Sequence, residues 1–225
     1  RLYVKDKKTL LFEVTYYKKR INFEVFHVLT DGTGATEFLK ELVSNYLYLA
    51  HQKEGLEPVS MLPEDMTVQD QESDSFLKYY SKDQKRPKEK KTRAFQIRRK
   101  KKDGNHLHVH ESVVSVKEVL KRSRELGVSM TVFLTAVFLK AIHEEMSKMQ
   151  EKKPIVLMVP VNLRKFFPST SMLNFFNWIE PGYDFSKRDR SFEEVLRYTK
   201  DFFGEQLTKE KMSAHINDLL ALELH

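Results

Sequence analysis

A histidine and an aspartate four residues apart are the residues of this sequence best placed to do chemistry. Residues 27–32 read HVLTDG, an H-x-x-x-D-G pattern. An unperturbed imidazole titrates at about pH 6.5, so a histidine in a cleft can accept a proton near neutral pH as a general base. Asp31 can fix the turn through a buried ion pair, and Gly32 permits backbone angles or a close approach denied to other residues. The alternative for His27 is a core histidine satisfied by a backbone carbonyl.

The elements around this pattern predict a strand, a tight turn and a helix. Residues 9–17 and 21–29 are rich in β-branched and aromatic side chains and are separated by polar KKR, which predicts a hairpin. Alternation in the second strand would place these residues on one face: Ile21, Phe23, Val25, His27 and Leu29. A helix is expected over about 35–51, after a turn that Gly34 keeps open. His27 would then lie at the end of a strand.

The second half of the sequence predicts a mixture of helices and strands. Two S-x-x-E capping boxes, at Ser115 and Ser191, open helices, of which the first ends at Gly127. The remaining predicted elements are a helix over 131–146 that is apolar on nearly every side, strands at 154–163 and 172–179, and a last helix over 214–224. The fold class is therefore α/β.

A strongly basic run divides the sequence. Residues 85–102 hold eleven Lys or Arg and one Glu, so the run carries +10 in a chain of net charge +7. We interpret 1–84 as the remainder of an N-terminal half, 85–104 as a basic connector, and 105–225 as an incomplete C-terminal half. Binding of the phosphate groups of a ligand by the run is one alternative. Nucleic-acid binding is another, which we do not favour because Phe95 is the run's single aromatic residue.

The composition excludes several function classes. The chain has 225 residues, 40% of them hydrophobic, with 7 Gly, 7 Pro and no Cys, so it is expected to fold without disulfides, thiol catalysis or thiolate metal sites. The lack of Cys agrees with a reducing cytoplasm. Apolar runs are too short for a membrane span. Alternating His106, His108 and His110 could bind zinc or nickel, but an exposed strand face explains them as well, and no metal is predicted.

The H-x-x-x-D-G pattern in this setting resembles the chloramphenicol acetyltransferase-like superfamily. That group includes BAHD acyltransferases, condensation domains and bacterial alcohol acetyltransferases, and the last are the most similar. Three further segments follow in the expected order: LGVSMTVFLTAVFLKAI, PIVLMVPVNLR and MLNFFNW. The resemblance implies a chloramphenicol acetyltransferase-like two-layer α+β sandwich, built as two similar halves with a channel between them and the histidine at its middle.

The resemblance also implies roles for individual residues. His27 would be the general base that takes the proton of an alcohol hydroxyl as its oxygen attacks the thioester of an acyl-CoA. Asp31 would hold the loop by pairing with an arginine, for which Arg164 is the candidate. Asn174 matches the family's G-N-F position, with Leu173 in place of glycine, and would order the strand beside the channel. The implied function is an O-acyltransferase that uses acyl-CoA as cosubstrate and has no permanently bound cofactor.

One departure from the family leaves alternatives open. The D-F-G-W-G-like segment near the family's C-terminus is absent, and the similar residues 201–204 lie within a helical pattern. The first residues, RLYV, resemble the interior of a domain, so the chain is expected to be part of a longer protein. The alternatives are a noncatalytic binding module that retains the fold, and N-acyl transfer from a carrier-protein thioester. The acceptor and the acyl chain length stay open.

Overall fold

The fold combines helices with three small two-stranded sheets. The computed structural model describes residues 8–55, 57, 60, 66–81, 93–97, 109 and 111–223. Its strands are β1 (Phe12–Tyr17), β2 (Arg20–Val25), β3 (Ile155–Val156), β4 (Val159–Asn162), β5 (Phe176–Ile179) and β6 (Gly182–Tyr183). Its helices are α1 (Gly32–Ala50), α2 (Val68–Gln71), α3 (Ser75–Lys78), α4 (Val116–Glu125), α5 (Met130–Glu144), α6 (Phe192–Gln206) and α7 (Lys209–Glu223). Short 3-10 turns occupy Gln52–Glu54, Gln150–Lys152 and Leu163–Lys165.

The described residues form two compact units that are not continuous in sequence. The first unit contains the described residues up to 81 together with 162–177 and 212–223, and the second contains those of 93–161 and 178–211. The chain thus returns to the first unit at Asn162, in β4, and leaves it again after Asn177, in β5. This division differs from the predicted linear one, in which all of 105–225 forms one half. The difference arises because the segment 162–177 supplies the partners of Asp31.

The predicted hairpin is confirmed in the first unit, with a shorter second strand. β1 and β2 pair antiparallel, with Phe12 opposite Val25. The strand ends at Val25 because the Leu29 amide donates to the Phe26 carbonyl at 3.0 Å and closes a turn. His27 therefore lies in a turn after the strand and does not continue its face. The same turn takes Leu29 out of the predicted alternation.

Helix α1 begins at Gly32, three residues earlier than predicted. The carboxylate of Asp31 accepts hydrogen bonds from the amides of Thr33 and Gly34 and so caps the helix. Phe38 of α1 packs against the hairpin, where its ring centroid lies 4.8 Å from that of Phe23. The H-x-x-x-D-G pattern thus lies in a six-residue connection, residues 26–31, that ends at the helix cap.

The second unit is built around α5 and α6, which pack together. Both predicted capping boxes begin helices, since the hydroxyls of Ser115 and Ser191 accept the amide of the residue three positions later. Helix α5 is apolar on nearly every side, as the sequence indicates, but only one of its faces is buried: Leu139 is fully buried, whereas Phe138 is 60% exposed. The predicted strand 154–163 is divided into β3, which pairs with β6, and β4, which pairs with β5.

Several predictions concern residues that the structure does not describe. Of the basic run 85–102, residues 93–97 are described, and the Phe95 amide donates to the Pro154 carbonyl at 2.9 Å. His106, His108 and His110 lie outside the described residues. Within the described part of the chain, no single helix is long and apolar enough to span a membrane, although α4 and α5 together pass that test with an 89° bend between them.

Candidate functional site

Asp31 is the centre of the hydrogen-bond network that supports the His27 turn. Its Oδ1 accepts the amides of Thr33 at 3.0 Å and Gly34 at 3.2 Å. Its Oδ2 accepts Nη1 of Arg164 at 2.6 Å and the amide of Phe175 at 2.8 Å. Both carboxylate oxygens are therefore occupied by structural partners. The ion pair with Arg164 forms as expected, and only 6% of the Asp31 side chain is exposed.

The environment of Asp31 favours its charged form. Burial raises the pKa of the carboxyl, but the hydrogen bonds from Arg164, Phe175 and Gly34 together outweigh burial, so the pKa lies below the ordinary value of 3.8. A carboxylate that stays ionised and fully hydrogen-bonded is suited to hold structure and not to exchange protons. Asp31 is accordingly a structural residue.

Arg164 connects Asp31 to three backbone carbonyls of one loop. Its Nη2 donates to the carbonyls of Ser171 at 2.7 Å and Leu173 at 2.8 Å, and its Nη1 lies 3.5 Å from that of Phe175. The planar guanidinium presents five donors in a fixed arrangement, which a lysine ammonium does not. The side chain is 11% exposed. Arg164 therefore sets the shape of the loop 171–175 as well as the charge balance at Asp31.

Asn174 holds the backbone of the His27 turn. Its Nδ2 donates to the carbonyl of His27 at 2.8 Å and to that of Val28 at 3.3 Å. Its Oδ1 is buried and has no hydrogen-bond partner among the described residues. The sequence placed Asn174 beside the channel as a residue that orders a strand, and the contact with the His27 carbonyl gives it a direct structural connection to the motif.

The His27 side chain is exposed, and this differs from a core histidine satisfied by a carbonyl. No described residue forms a hydrogen bond to either of its ring nitrogens. Its ring centroid lies 5.4 Å from that of Phe176, with 51° between the ring planes. The structure therefore presents an exposed imidazole whose backbone accepts hydrogen bonds from Asn174 and whose ring nitrogens have no hydrogen-bond partner among the described residues.

Comparison with known proteins gives the site its chemical context. The family model described as alcohol acetyltransferase matches residues 57–178, more than half of the chain. The chain belongs to the alcohol acetyltransferase family. No curated protein matches the sequence. Membership of this family supports an acyltransferase activity. The match includes Arg164 and Asn174 but begins after His27 and Asp31, so the assignment of these two residues depends on the contacts described above.

Gly34, and not Gly32, is the glycine that packing requires in this member of the alcohol acetyltransferase family. A Cβ at Gly32 would meet none of the described atoms within 4 Å, and Gly32 does not have a positive φ. A Cβ at Gly34 would overlap Thr30 Oγ1 and the carbonyl oxygen of Met172. Those two atoms are hydrogen-bonded to each other at 2.6 Å. The structure thus transfers to Gly34 the close approach that the sequence analysis assigned to Gly32.

The variants Gly34→Ala and Gly32→Ala form a matched pair with different expected stability. Because the Met172 carbonyl is backbone and cannot rotate away, Gly34→Ala is expected to lower the free energy of unfolding by about 1–3 kcal/mol. Gly32→Ala is expected to change it by no more than about 1 kcal/mol, in the stabilising direction. Chemical denaturation of both variants measures this difference. Equal stability of the two would contradict the close approach at Gly34.

Sequence reasoning missed the contributions of residues 175 and 176. The Phe175 amide binds Asp31, and the Phe176 ring contacts His27. A hydrogen bond from a backbone amide cannot be predicted from the residue type, because every residue except proline has this donor. A phenylalanine in an apolar segment is normally predicted to be a core residue. The available signal was Asn174, a predicted site residue that lies within two positions of both.

Proposed function

We propose that the protein is an acyl-CoA-dependent O-acyltransferase in which His27 is the general base. The observation that carries this proposal is the exposed His27 imidazole, which has no protein hydrogen bond among the described residues and stands on a turn that Asn174 and Asp31 fix. Membership of the alcohol acetyltransferase family supports the reaction class and the two substrates.

The reaction needs one proton acceptor and no covalent enzyme intermediate. A ring nitrogen of His27 accepts the proton of the alcohol hydroxyl while the hydroxyl oxygen attacks the thioester carbonyl carbon. The new C–O bond forms, and the tetrahedral intermediate collapses with cleavage of the C–S bond. The imidazolium then returns its proton to the departing CoA thiolate, giving an ester and free CoA. Asp31 takes no proton in this sequence, because both of its oxygens accept structural hydrogen bonds.

The proposal is tested by measuring CoA release and ester formation together. The 225-residue chain is supplied with acetyl-CoA and a panel of primary alcohols, ethanol to 1-hexanol, and the released thiol is followed with a chromogenic thiol reagent. These 225 residues contain no cysteine, so they contribute nothing to the thiol signal. We expect thiol release that saturates with alcohol and equals the ester formed.

Other outcomes separate this proposal from its alternatives. Thiol release that does not depend on the alcohol would indicate thioester hydrolysis and contradict O-acyl transfer. Saturable binding of acetyl-CoA without ester formation across the panel would favour a noncatalytic binding module. A parallel panel of primary amines, with amide formation in place of ester formation, would favour N-acyl transfer.

A further inference from the structure

The Asp31 carboxylate does not contact the His27 imidazole. Each of its oxygens accepts two hydrogen bonds from backbone or arginine donors. In many catalytic sites a carboxylate orients the basic histidine by accepting a hydrogen bond from one of its ring N–H groups. Here the carboxylate of the motif has other partners, and a ring that lies against the imidazole is that of Phe176.

Three consecutive residues, 174–176, contact both ends of the H-x-x-x-D pattern. Asn174 donates to the His27 carbonyl, the Phe175 amide donates to Asp31, and the Phe176 ring lies against the His27 ring. Between these two contacts with His27, Phe175 is fully buried. One short segment thus holds the backbone of His27 and contacts its side chain.

We infer that Phe176 is a positioning residue that holds the His27 imidazole in the orientation needed for proton transfer. The inference rests on the proposed function. The Phe176 ring has no hydrogen-bonding group, so it limits the rotation of the imidazole without occupying a ring nitrogen. The basic nitrogen stays free to accept a proton from the hydroxyl and to return it to the thiolate. A carboxylate in the same place would bind one nitrogen and add a charge.

The expected effect of removing this contact is moderate and confined to turnover. An aromatic pair of this kind changes an orientation equilibrium by a factor of about 2–13. Phe176→Leu is therefore expected to lower kcat by about 2–13-fold with little change in KM. Phe176→Tyr keeps the ring and is expected to retain wild-type kcat. A higher KM with unchanged kcat would instead indicate that Phe176 contacts the substrate, and this result would overturn the positioning role.

Phe38→Leu is the matched control for loss of a ring. Phe38 is in the same unit, contacts Phe12 and Phe23 with centroid distances of 5.7 and 4.8 Å, and has no ring contact with His27. It is expected to leave kcat unchanged. If Phe176→Leu does not fold, Phe176→Met takes its place, because methionine is also apolar and of similar length.

An NMR measurement on the full-length chain tests the contact independently of turnover. The signals of the carbon-bound imidazole protons of His27 are assigned by their loss in His27→Gln. They are expected to shift in Phe176→Leu, because the ring current of Phe176 is removed. They are expected to keep their chemical shifts in Phe38→Leu. Unshifted signals, or wild-type kcat in Phe176→Leu when His27→Ala is inactive, would overturn the inference. Full activity of His27→Ala would overturn the proposed function, and the role of Phe176 with it.

Discussion

Replacing His27 with alanine is expected to lower the rate of acyl transfer by about 10²–10⁴-fold, the usual contribution of a positioned general base. The fold should persist, because the side chain is exposed and forms no hydrogen bond with a described residue. Exposed substitutions of this kind change the free energy of unfolding by about 0.5 kcal/mol or less. The measurements are ester formation under saturating acetyl-CoA and alcohol, and denaturation of the same preparation.

Two controls make this prediction specific for the His27 imidazole. His51, in the same unit, pairs with Glu54 at 2.9 Å and is partly exposed, so His51→Ala is expected to retain wild-type turnover. Added free imidazole should restore part of the activity of His27→Ala, because the deleted side chain leaves room for a diffusible base. Full activity of His27→Ala would show that another group removes the hydroxyl proton.

Loss of either partner of the Asp31–Arg164 pair is expected to cost about 3–5 kcal/mol of unfolding free energy, because the partner left behind stays buried without its counter-charge. Asp31→Ala removes four hydrogen bonds. Arg164→Ala also leaves the carbonyls of Ser171 and Leu173 without their donor. Equilibrium denaturation of the two variants and of the double variant measures the coupling, which is expected to be at most about 3 kcal/mol.

An exposed ion pair of similar length is the control for the buried one. Lys40 lies 2.8 Å from Glu37, with half of the Lys40 side chain exposed. Lys40→Ala is expected to cost about 1 kcal/mol or less. Asp31→Asn should cost less than Asp31→Ala, because asparagine can still cap α1, and this cap contributes about 1 kcal/mol. Equal losses in Lys40→Ala and Arg164→Ala would contradict the structural role of the buried pair.

The same pair predicts an acid-dependent loss of stability. The pKa of Asp31 is lower in the folded chain than its ordinary value of 3.8, so the folded state binds this proton more weakly than the unfolded state. The stabilising contribution is therefore fully present above pH 3.8 and is lost as the pH falls through the lowered pKa. The difference in unfolding free energy between wild type and Asp31→Asn should shrink below pH 3.8. A difference that grows on acidification would contradict the direction of the shift.

The local elements near the site could be predicted because their signals are short-range. The hairpin follows from two β-rich stretches around a polar turn, and the helix starts at Ser115 and Ser191 follow from capping boxes. The ion pair of Asp31 with Arg164 could be named in advance because the resemblance to the acyltransferase family links an aspartate in the motif to a later arginine.

The remaining features depend on tertiary contacts that leave weak marks in a sequence. The end of β2 at Val25 is set by a turn hydrogen bond. The alternation of apolar and polar residues continues past Val25 in the sequence, so it predicted a longer strand. The division into units could not be found from composition, because the segment 162–177 joins the first unit through hydrogen bonds to residues far away in the chain. Gly34 differs from Gly32 in the atoms that lie around its Cα, which are Thr30 Oγ1 and the Met172 carbonyl oxygen.

The long sequence separation within the Asp31–Arg164 pair has a consequence for biosynthesis. The two partners are 133 residues apart, and at a translation rate of about 5–20 residues per second the arginine leaves the ribosome roughly 7–27 s after the aspartate. During that interval the Asp31 carboxylate has its two local hydrogen bonds, from Thr33 and Gly34, but not the two from Arg164 and Phe175. The buried carboxylate is therefore completed only after the 162–177 segment has emerged.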